Sequence, residues 1–180
     1  MIGFRAAAVY AAETGGTALN RQIVDSSFRL DPELRFKRPE LPALVALWED
    51  LRAGRRAPDR ADFSPFVLRP YLPRVLIYEI VNEATVRRFR IRLYGTLISE
   101  YSGRDPTGKF VDETMSERAY ADFDRGLSWV ADNARPLRAA GSYYFVDRSF
   151  VRFESVTLPL TAGGSEIAQL LNVTFYDDEK

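Results

Sequence analysis

The sequence predicts an α+β fold, in which helices cover one face of a sheet of five antiparallel strands. Two observations support this class. Residues 75–93 and 137–176 are rich in β-branched and aromatic side chains and alternate between apolar and polar positions over much of their length, as strands do. Residues 41–52 and 117–133 instead repeat their apolar residues every three to four positions, which is typical of helices.

The chain divides into a tail and one domain. A length of 180 residues suits one domain of roughly 100–150 residues with an extension. Residues 1–38 are predicted to be a tail of uncertain order, in which the apolar residues from Ile23 to Leu30 form a short strand or simply lie on the domain. Residues 39–180 are predicted to be a single domain that includes its own N-terminal helix.

The N-terminal helix of the domain is predicted over Leu41 to Arg52, with Gly54 as a C-terminal cap. Its apolar positions follow the helical period and form one stripe, which consists of Leu44, Leu47, Trp48 and Leu51. Two interpretations fit this stripe. It belongs to the core of its own domain, or it docks on a second copy of the chain and forms a homodimer interface.

The first two strands are predicted to pair as a hairpin. Val75 to Val81 is an almost continuous apolar run, which indicates a strand covered on both faces. In the next strand, Phe89, Ile91 and Leu93 alternate with arginines, so the three apolar side chains are expected to share one buried face.

Helices are predicted between the second and third strands. A short helical turn follows Gly95, and residues 103–108 form a turn with two glycines and a proline. Thr114 and Glu117 have the spacing of a capping box, so a longer helix is expected from there to Asn133. Three strands complete the sheet, and the space between a sheet and its helical cover is a natural place for a small ligand.

Composition excludes several kinds of chemistry. Lys plus Arg and Asp plus Glu each total 25, so the basic excess that nucleic-acid binders usually show is missing. The chain has no cysteine and no histidine, which removes the thiolate nucleophile, the usual general base and the commonest metal and haem ligands. No metal site is predicted. No apolar stretch reaches the roughly 18–20 residues that a membrane span needs, so we expect a cytoplasmic protein without a membrane partner.

The order of the elements and particular residues together resemble the PAS domain family, and more narrowly the small bacterial proteins that consist of one PAS domain and little else. The resemblance runs from Leu41 to Tyr176. Its matching residues in the first half are Leu47-Trp48-Glu49, Arg52, Gly54-Arg55-Arg56, Pro58-Asp59-Arg60, Phe63, Pro65 and Leu72-Pro73. In the second half they are Arg92-Leu93-Tyr94-Gly95-Thr96, Gly103-Arg104-Asp105, Thr107-Gly108-Lys109, Arg152-Phe153-Glu154 and Leu158-Pro159-Leu160.

The resemblance implies a five-stranded antiparallel sheet with flanking helices, a central cavity and a role in sensing or in protein–protein signalling. It also implies dimerisation through an N-terminal helix in many members. Haem and cysteinyl-flavin are disfavoured as cofactors, because those branches use a histidine or a cysteine that this chain lacks. A noncovalent flavin or another small organic ligand stays open. Since the sequence has no length for an output domain, we expect signalling through a partner protein.

Five residues are candidates for ligand binding, and each has a structural alternative. They are Tyr101, Arg104, Asp105, Tyr143 and Glu154. The alternative for Asp105 is that it closes its own turn, and for Arg104 that it pairs with a carboxylate such as Glu154. The two tyrosines line the cavity or belong to the core.

The favoured function is a non-enzymatic sensory or interaction module that binds a small ligand, a partner protein or both. The alternative is a small α+β enzyme or a carrier of hydrophobic ligands, built over a curved sheet. No nucleophile and base are paired in the sequence, since the serines and threonines have no histidine partner. Two or more polar groups converging on a pocket would favour the alternative.

Overall fold

The computed structural model describes residues 28–84, 86–143 and 148–177, which form one antiparallel sheet with helices packed against it. The strands are β1 (Arg29–Asp31), β2 (Val75–Glu83), β3 (Val86–Tyr94), β4 (Leu137–Tyr143), β5 (Arg148–Leu160) and β6 (Gln169–Tyr176). The α-helices are α1 (Glu40–Arg52), α2 (Thr96–Ser102) and α3 (Glu117–Asn133). The strands lie in the order β1-β4-β5-β6-β2-β3. The α+β class is therefore confirmed.

The sheet has six strands over the described residues, where the sequence predicted five. The additional strand is β1, which comes from the predicted tail and pairs with β4, so that Leu30 lies opposite Ala139. An unpaired sheet edge exposes backbone hydrogen-bonding groups, and β1 covers this edge of β4. Leu30 is thus part of the sheet, whereas Ile23 lies outside the described residues.

The predicted face of β3 is wrong at one residue. Leu93 pairs with Ile77, but Ile91 pairs with Tyr78, so Arg92 is an extra residue that forms a β-bulge. A bulge shifts the alternation of side chains by one position. Leu93 therefore packs on the face that α1 covers, whereas Ile91 packs on the face that α3 covers.

The helices lie on both faces of the sheet, whereas the sequence predicted a cover on one face. Val75 and Ile77 of β2 pack in the same apolar cluster as Leu44 of α1. Leu76 and Tyr78, which point the opposite way, pack in the cluster that contains α3. Burial on both faces explains why β2 reads as a continuous apolar run.

Helix α3 begins at Glu117 with Ser116 as its N-cap, whose hydroxyl accepts a hydrogen bond from the backbone N–H of Ala119 at 3.4 Å. The predicted cap, Thr114, instead donates its hydroxyl to the carbonyl of Val111 at 2.8 Å. The helix ends at Asn133, as predicted.

Gly126 in the middle of α3 allows β1 to approach the helix. A Cβ atom at this position would lie 3.2 Å from Cδ2 of Leu30, which is tighter than nine in ten real contacts of this kind. The close approach places the β1 segment over one end of the space between α3 and the sheet. Within the described part of the chain, no helix combines the length and the apolar character that crossing a membrane would require.

Candidate functional site

A cavity lies between the sheet and α3. The space open to the centre of a water-sized sphere is about 80 Å³. Since one water molecule needs roughly 10–15 Å³ by this measure, the cavity has room for several waters or for a small organic molecule. Its apolar walls come from β1, β2, α3, β4 and β5, and include Leu30, Leu76, Phe123, Leu127, Leu137 and Phe153.

The sheet side of the cavity is polar. Two cross-strand pairs of β5 and β6, Ser155 with Thr174 and Thr157 with Asn172, point into it, and we call these four residues the polar floor. Each of them is more than nine-tenths buried. The side-chain amide of Asn172 donates to the hydroxyl of Thr157 at 2.9 Å, and the hydroxyl of Thr174 donates to the Asn172 carbonyl oxygen at 2.8 Å.

Strand alternation explains why these polar groups share a face. Val156 and Leu158 of β5 point toward α1 and fill the apolar cluster there, so Ser155 and Thr157 point toward α3. The polar floor was not predicted from the sequence. The sequence did contain a signal for it. The strand that carries Asn172 is predicted to be covered on both faces, so the polar side chain of Asn172 must be buried, and a buried polar side chain indicates a hydrogen-bonding surface.

The cavity lining is almost free of charge. Tyr78 is buried in it, and burial, with smaller contributions from Tyr94 and Tyr176, raises the pKa of Tyr78, so its hydroxyl stays protonated at neutral pH. Among the described lining residues, Arg104 is the one with a charged side chain, and Arg104 is exposed at the rim.

Arg104 and Asp105, both predicted ligand contacts, have different roles in the structure. The guanidinium of Arg104 donates to the backbone carbonyl of Thr114 and so ties the turn to the segment before α3. Asp105 is exposed and accepts hydrogen bonds from the backbone N–H of Thr107 at 2.9 Å and from its hydroxyl at 2.6 Å. Asp105 therefore closes its own turn, which is the structural alternative that its sequence context left open.

Glu154 lies on the opposite face of the sheet from the cavity and does not pair with Arg104. Its carboxylate is buried, and it accepts hydrogen bonds from Nε of Arg138 at 2.6 Å and from the backbone N–H groups of Lys37 at 3.0 Å and Arg38 at 2.8 Å. A second space of about 70 Å³ lies beside this group. The alternation of β5 separates Glu154 from the cavity, because its neighbour Ser155 faces inward.

Of the two predicted tyrosines, the structure describes the side chain of Tyr101, which does not form a wall of the cavity. The ring of Tyr101 stacks on that of Tyr176, with their centroids 3.7 Å apart and the planes at 20°, and Tyr101 is not part of the cavity lining. The side chain of Tyr143 lies outside what the structure describes. The five predicted residues are therefore not brought together at one site.

The α1 stripe is divided between core and surface. Leu44 and Trp48 are 0% and 3% exposed, and the Trp48 indole N–H donates to the carbonyl of Pro159 at 2.9 Å. Leu47 and Leu51 are only partly buried against the same cluster. Leu44 and Trp48 thus serve the core of their own domain and have no side-chain surface left for a second copy.

No group of three or more Asp, Glu, His or Cys side chains among the described residues is arranged to hold a metal ion. The polar floor consists of hydroxyls and one amide, which are poor ligands for transition metals in the absence of thiolate, imidazole or carboxylate. The cavity is therefore suited to hydrogen bonding and apolar contact.

Comparisons with known proteins were consistent with the geometry. A family model described as a PAS domain matches residues 36–173 of the 180-residue chain. The matched range begins just before α1 and ends inside β6, so it includes the cavity walls except those from β1 and the end of β6. The comparison with curated proteins found no match.

Proposed function

Because the chain belongs to the PAS domain family, we propose that it is a non-enzymatic sensory module that binds a small ligand in the cavity between the sheet and α3 and signals through a partner protein. The family generally serves as sensory and interaction modules. The observation that supports ligand binding here is the polar floor, a buried hydrogen-bonding surface at the bottom of an otherwise apolar cavity. Sites of this composition are typical of small-molecule binding.

The cavity is closed on the side away from the sheet by α3 and by the turn that Arg104 ties to Thr114. We propose that residues 101–109 and α3 act as a wall that shifts when a ligand binds. A ligand shifts such a wall only if it binds one arrangement more tightly than the other, and couplings between sites are typically about 1–3 kcal/mol. A partner protein that contacts the outer surface of α3 would then bind more tightly or more weakly when the wall shifts.

Filling the cavity tests the binding proposal. Ala139→Leu adds bulk from β4 into the cavity, while Ala140→Leu adds the same bulk on the opposite face, where Ala140 lines the second space. The probes are small-molecule fragments that shift the NMR signals of the backbone amides of Ser155 and Asn172 in the wild type. They should bind Ala139→Leu at least tenfold more weakly than the wild type, and should bind Ala140→Leu with the same affinity as the wild type. If no fragment shifts these amides, or if Ala139→Leu binds them as the wild type does, the cavity is not a ligand site.

The dimer is a separate proposal. Leu47 and Leu51, the partly exposed members of the α1 stripe, would form a two-fold interface between copies, since two-fold symmetry is the commonest among homo-oligomers. Arg52 stacks on the ring of Trp48 at 5.6 Å beside them and would lie at the edge of such an interface.

A carrier of hydrophobic ligands is the second candidate, because polar groups do converge on the cavity. All four members of the polar floor are neutral, which favours binding over proton transfer. The two candidates differ in the effect that ligand binding has. A sensor should change its affinity for a partner protein when the cavity is filled. A carrier should instead pass its ligand to an acceptor molecule, and no signalling partner should be needed for the transfer.

A further inference from the structure

We propose that the ligand of this cavity is an uncharged molecule with an apolar body and one oxygen atom, such as a ketone, ester or alcohol, that accepts hydrogen bonds from the polar floor. This inference rests on the proposed function and names the chemical class that the site would select. Three properties of the site support it: its unused donors, the position of the charged groups and the character of the walls.

The polar floor has donors that are not used within the described structure. The hydroxyl hydrogen of Thr174 and one amide hydrogen of Asn172 are bound within the floor. The second amide hydrogen of Asn172 and the hydroxyl hydrogens of Thr157 and Ser155 remain, since none of them is donated to another described residue. Leaving buried polar groups unsatisfied is costly, so these donors need water or an acceptor on the ligand.

The charged side chains of Arg138 on β4 and Glu154 on β5 point away from the cavity. Arg138 and Glu154 neutralise each other on the opposite face of the sheet, where Glu154 also binds the segment before α1. A ligand carboxylate at the floor would be removed from water without a positive partner, and burying an unpaired charge is far more costly than burying a neutral oxygen. Arg104 is at the rim, where its guanidinium already donates to a backbone carbonyl.

The apolar side chains of the walls indicate that the rest of the ligand is apolar. Phe28 and Phe123 stack at 5.4 Å between ring centroids at one end of the cavity, and Leu30, Leu127 and Met115 continue the apolar surface. These five side chains offer no hydrogen bonds, so polar groups of a ligand beside them would lose their hydration without replacement. The hydroxyl-bearing residues of the remaining wall are Tyr78, Tyr94 and Thr114, and the Thr114 hydroxyl is already donated to the carbonyl of Val111. One polar end and an apolar body match the lining.

The test compares two probes of the same shape, 2-hexanone and pentanoate, which differ by a methyl group in place of a charged oxygen. Both are titrated into the full chain at pH 7.5, and binding is followed by the NMR chemical shifts of the backbone amides of Ser155 and Asn172. The ketone should bind at least tenfold more tightly than the carboxylate. Ser155→Ala should weaken ketone binding about five- to tenfold, as expected for the loss of one hydrogen bond. Arg118→Ala, which removes a positive charge from an exposed position of α3 outside the cavity lining, should leave ketone binding unchanged.

The outcomes separate this inference from the proposed function. If pentanoate binds more tightly and Arg104→Ala removes that binding, the cavity holds an anion at its rim, so the neutral class is wrong and the sensor proposal stands. Ketone binding that is unaffected by both Ser155→Ala and Thr157→Val would show that the floor does not donate, which also overturns the inference. If neither probe shifts the floor amides, both proposals fail.

Discussion

Glu154 shows how much a single buried carboxylate can organise in this chain. It is 4% exposed, and besides Arg138 it accepts hydrogen bonds from two successive backbone N–H groups, those of Lys37 and Arg38. A carboxylate oxygen of Asp31, at the end of β1, lies 3.7 Å from the guanidinium of Arg138. Ion pairs and hydrogen bonds to charged groups therefore attach β1 and the segment before α1 to β4 and β5. The sequence singles out Glu154 but not its partners, because the pairing of β4 with β5 includes an irregularity between Ser142 and Tyr143 that shifts the register.

Removing this carboxylate should be strongly destabilising. In Glu154→Ala, Arg138 stays buried with one weak partner and two backbone N–H groups lose their acceptor. Breaking a buried charge pair from one side typically costs about 3–5 kcal/mol. Urea unfolding followed by circular dichroism should therefore show a loss of this order in the free energy of unfolding.

The matched control is Glu166→Ala, since Glu166 is also paired with an arginine, Arg56 at 3.5 Å, but is 86% exposed. An exposed ion pair contributes about 0–1 kcal/mol, so the control should remain close to the wild type. Equal losses in the two variants would contradict the structural role given to Glu154.

Helix α1 shows which properties of an element can be predicted from its own residues. Its predicted span, Leu41 to Arg52, differs from the observed helix by one residue at the start. The periodicity of the stripe identifies the apolar face, but it is the same whether that face is covered by the sheet or by another chain. Only the fold decides, and it buries Leu44 and Trp48 while leaving parts of Leu47 and Leu51 accessible.

The two kinds of position in the stripe should respond differently to substitution. Leu44→Ala removes a fully buried side chain, which typically costs about 2–5 kcal/mol of the free energy of unfolding. Leu47→Glu places a charge where solvent can reach it, so the chain should stay folded by circular dichroism. If the proposed dimer forms, light scattering should report a dimer for the wild type and a monomer for Leu47→Glu.

The dimer proposal is wrong if the wild type is monomeric at micromolar concentration or if Leu47→Glu retains the dimer mass. If Leu47→Glu unfolds the protein instead, the stripe is entirely core. Asp50→Ala on the exposed side of the same helix is the control, and it should change neither the mass nor the fold.

At the scale of the whole molecule, the two faces of the sheet differ in how they are filled. The face toward α1 is filled by Val156, Leu158, Leu171 and their neighbours, whereas the face toward α3 carries the polar floor and the cavity. The order of strands and helices can be predicted from periodicity. The side of the sheet on which each helix packs cannot, because this depends on crossings between distant segments and on the bulge at Arg92.

For the same reason, the predicted ligand residues were separated. Arg104 lies at the rim of the cavity, because the glycine-bounded turn leads from the sheet to α3. Asp105, Tyr101 and Glu154 instead make contacts that stabilise a turn, an aromatic stack and a charged cluster. Polar residues at covered positions of β6 were a better guide to the cavity than charged residues in a turn.

The wall proposed for signalling gives a prediction for hydrogen exchange. Gly108 donates its backbone N–H to the carbonyl of Ile91 at 2.8 Å, so the end of the turn is fixed to β3, and movement is expected mainly in residues 103–107. Arg104→Ala removes the contact with the Thr114 carbonyl. A hydrogen bond from a charged group contributes about 1.5–3 kcal/mol, so exchange at the amides of Thr107 and Thr114 should become roughly ten- to a hundredfold faster, with the fold retained.

The control for this measurement is Arg118→Ala, which removes an equal charge from an exposed position on the first turn of α3. It should leave the exchange of Thr107 and Thr114 unchanged, because no contact between the turn and α3 passes through Arg118 in the described structure. A ligand in the cavity should slow exchange at the same amides in the wild type, since it would favour the closed arrangement of the wall. If residues 103–107 exchange as slowly as the centre of β3, with and without ligand, the wall does not move and the module would act as a rigid docking surface.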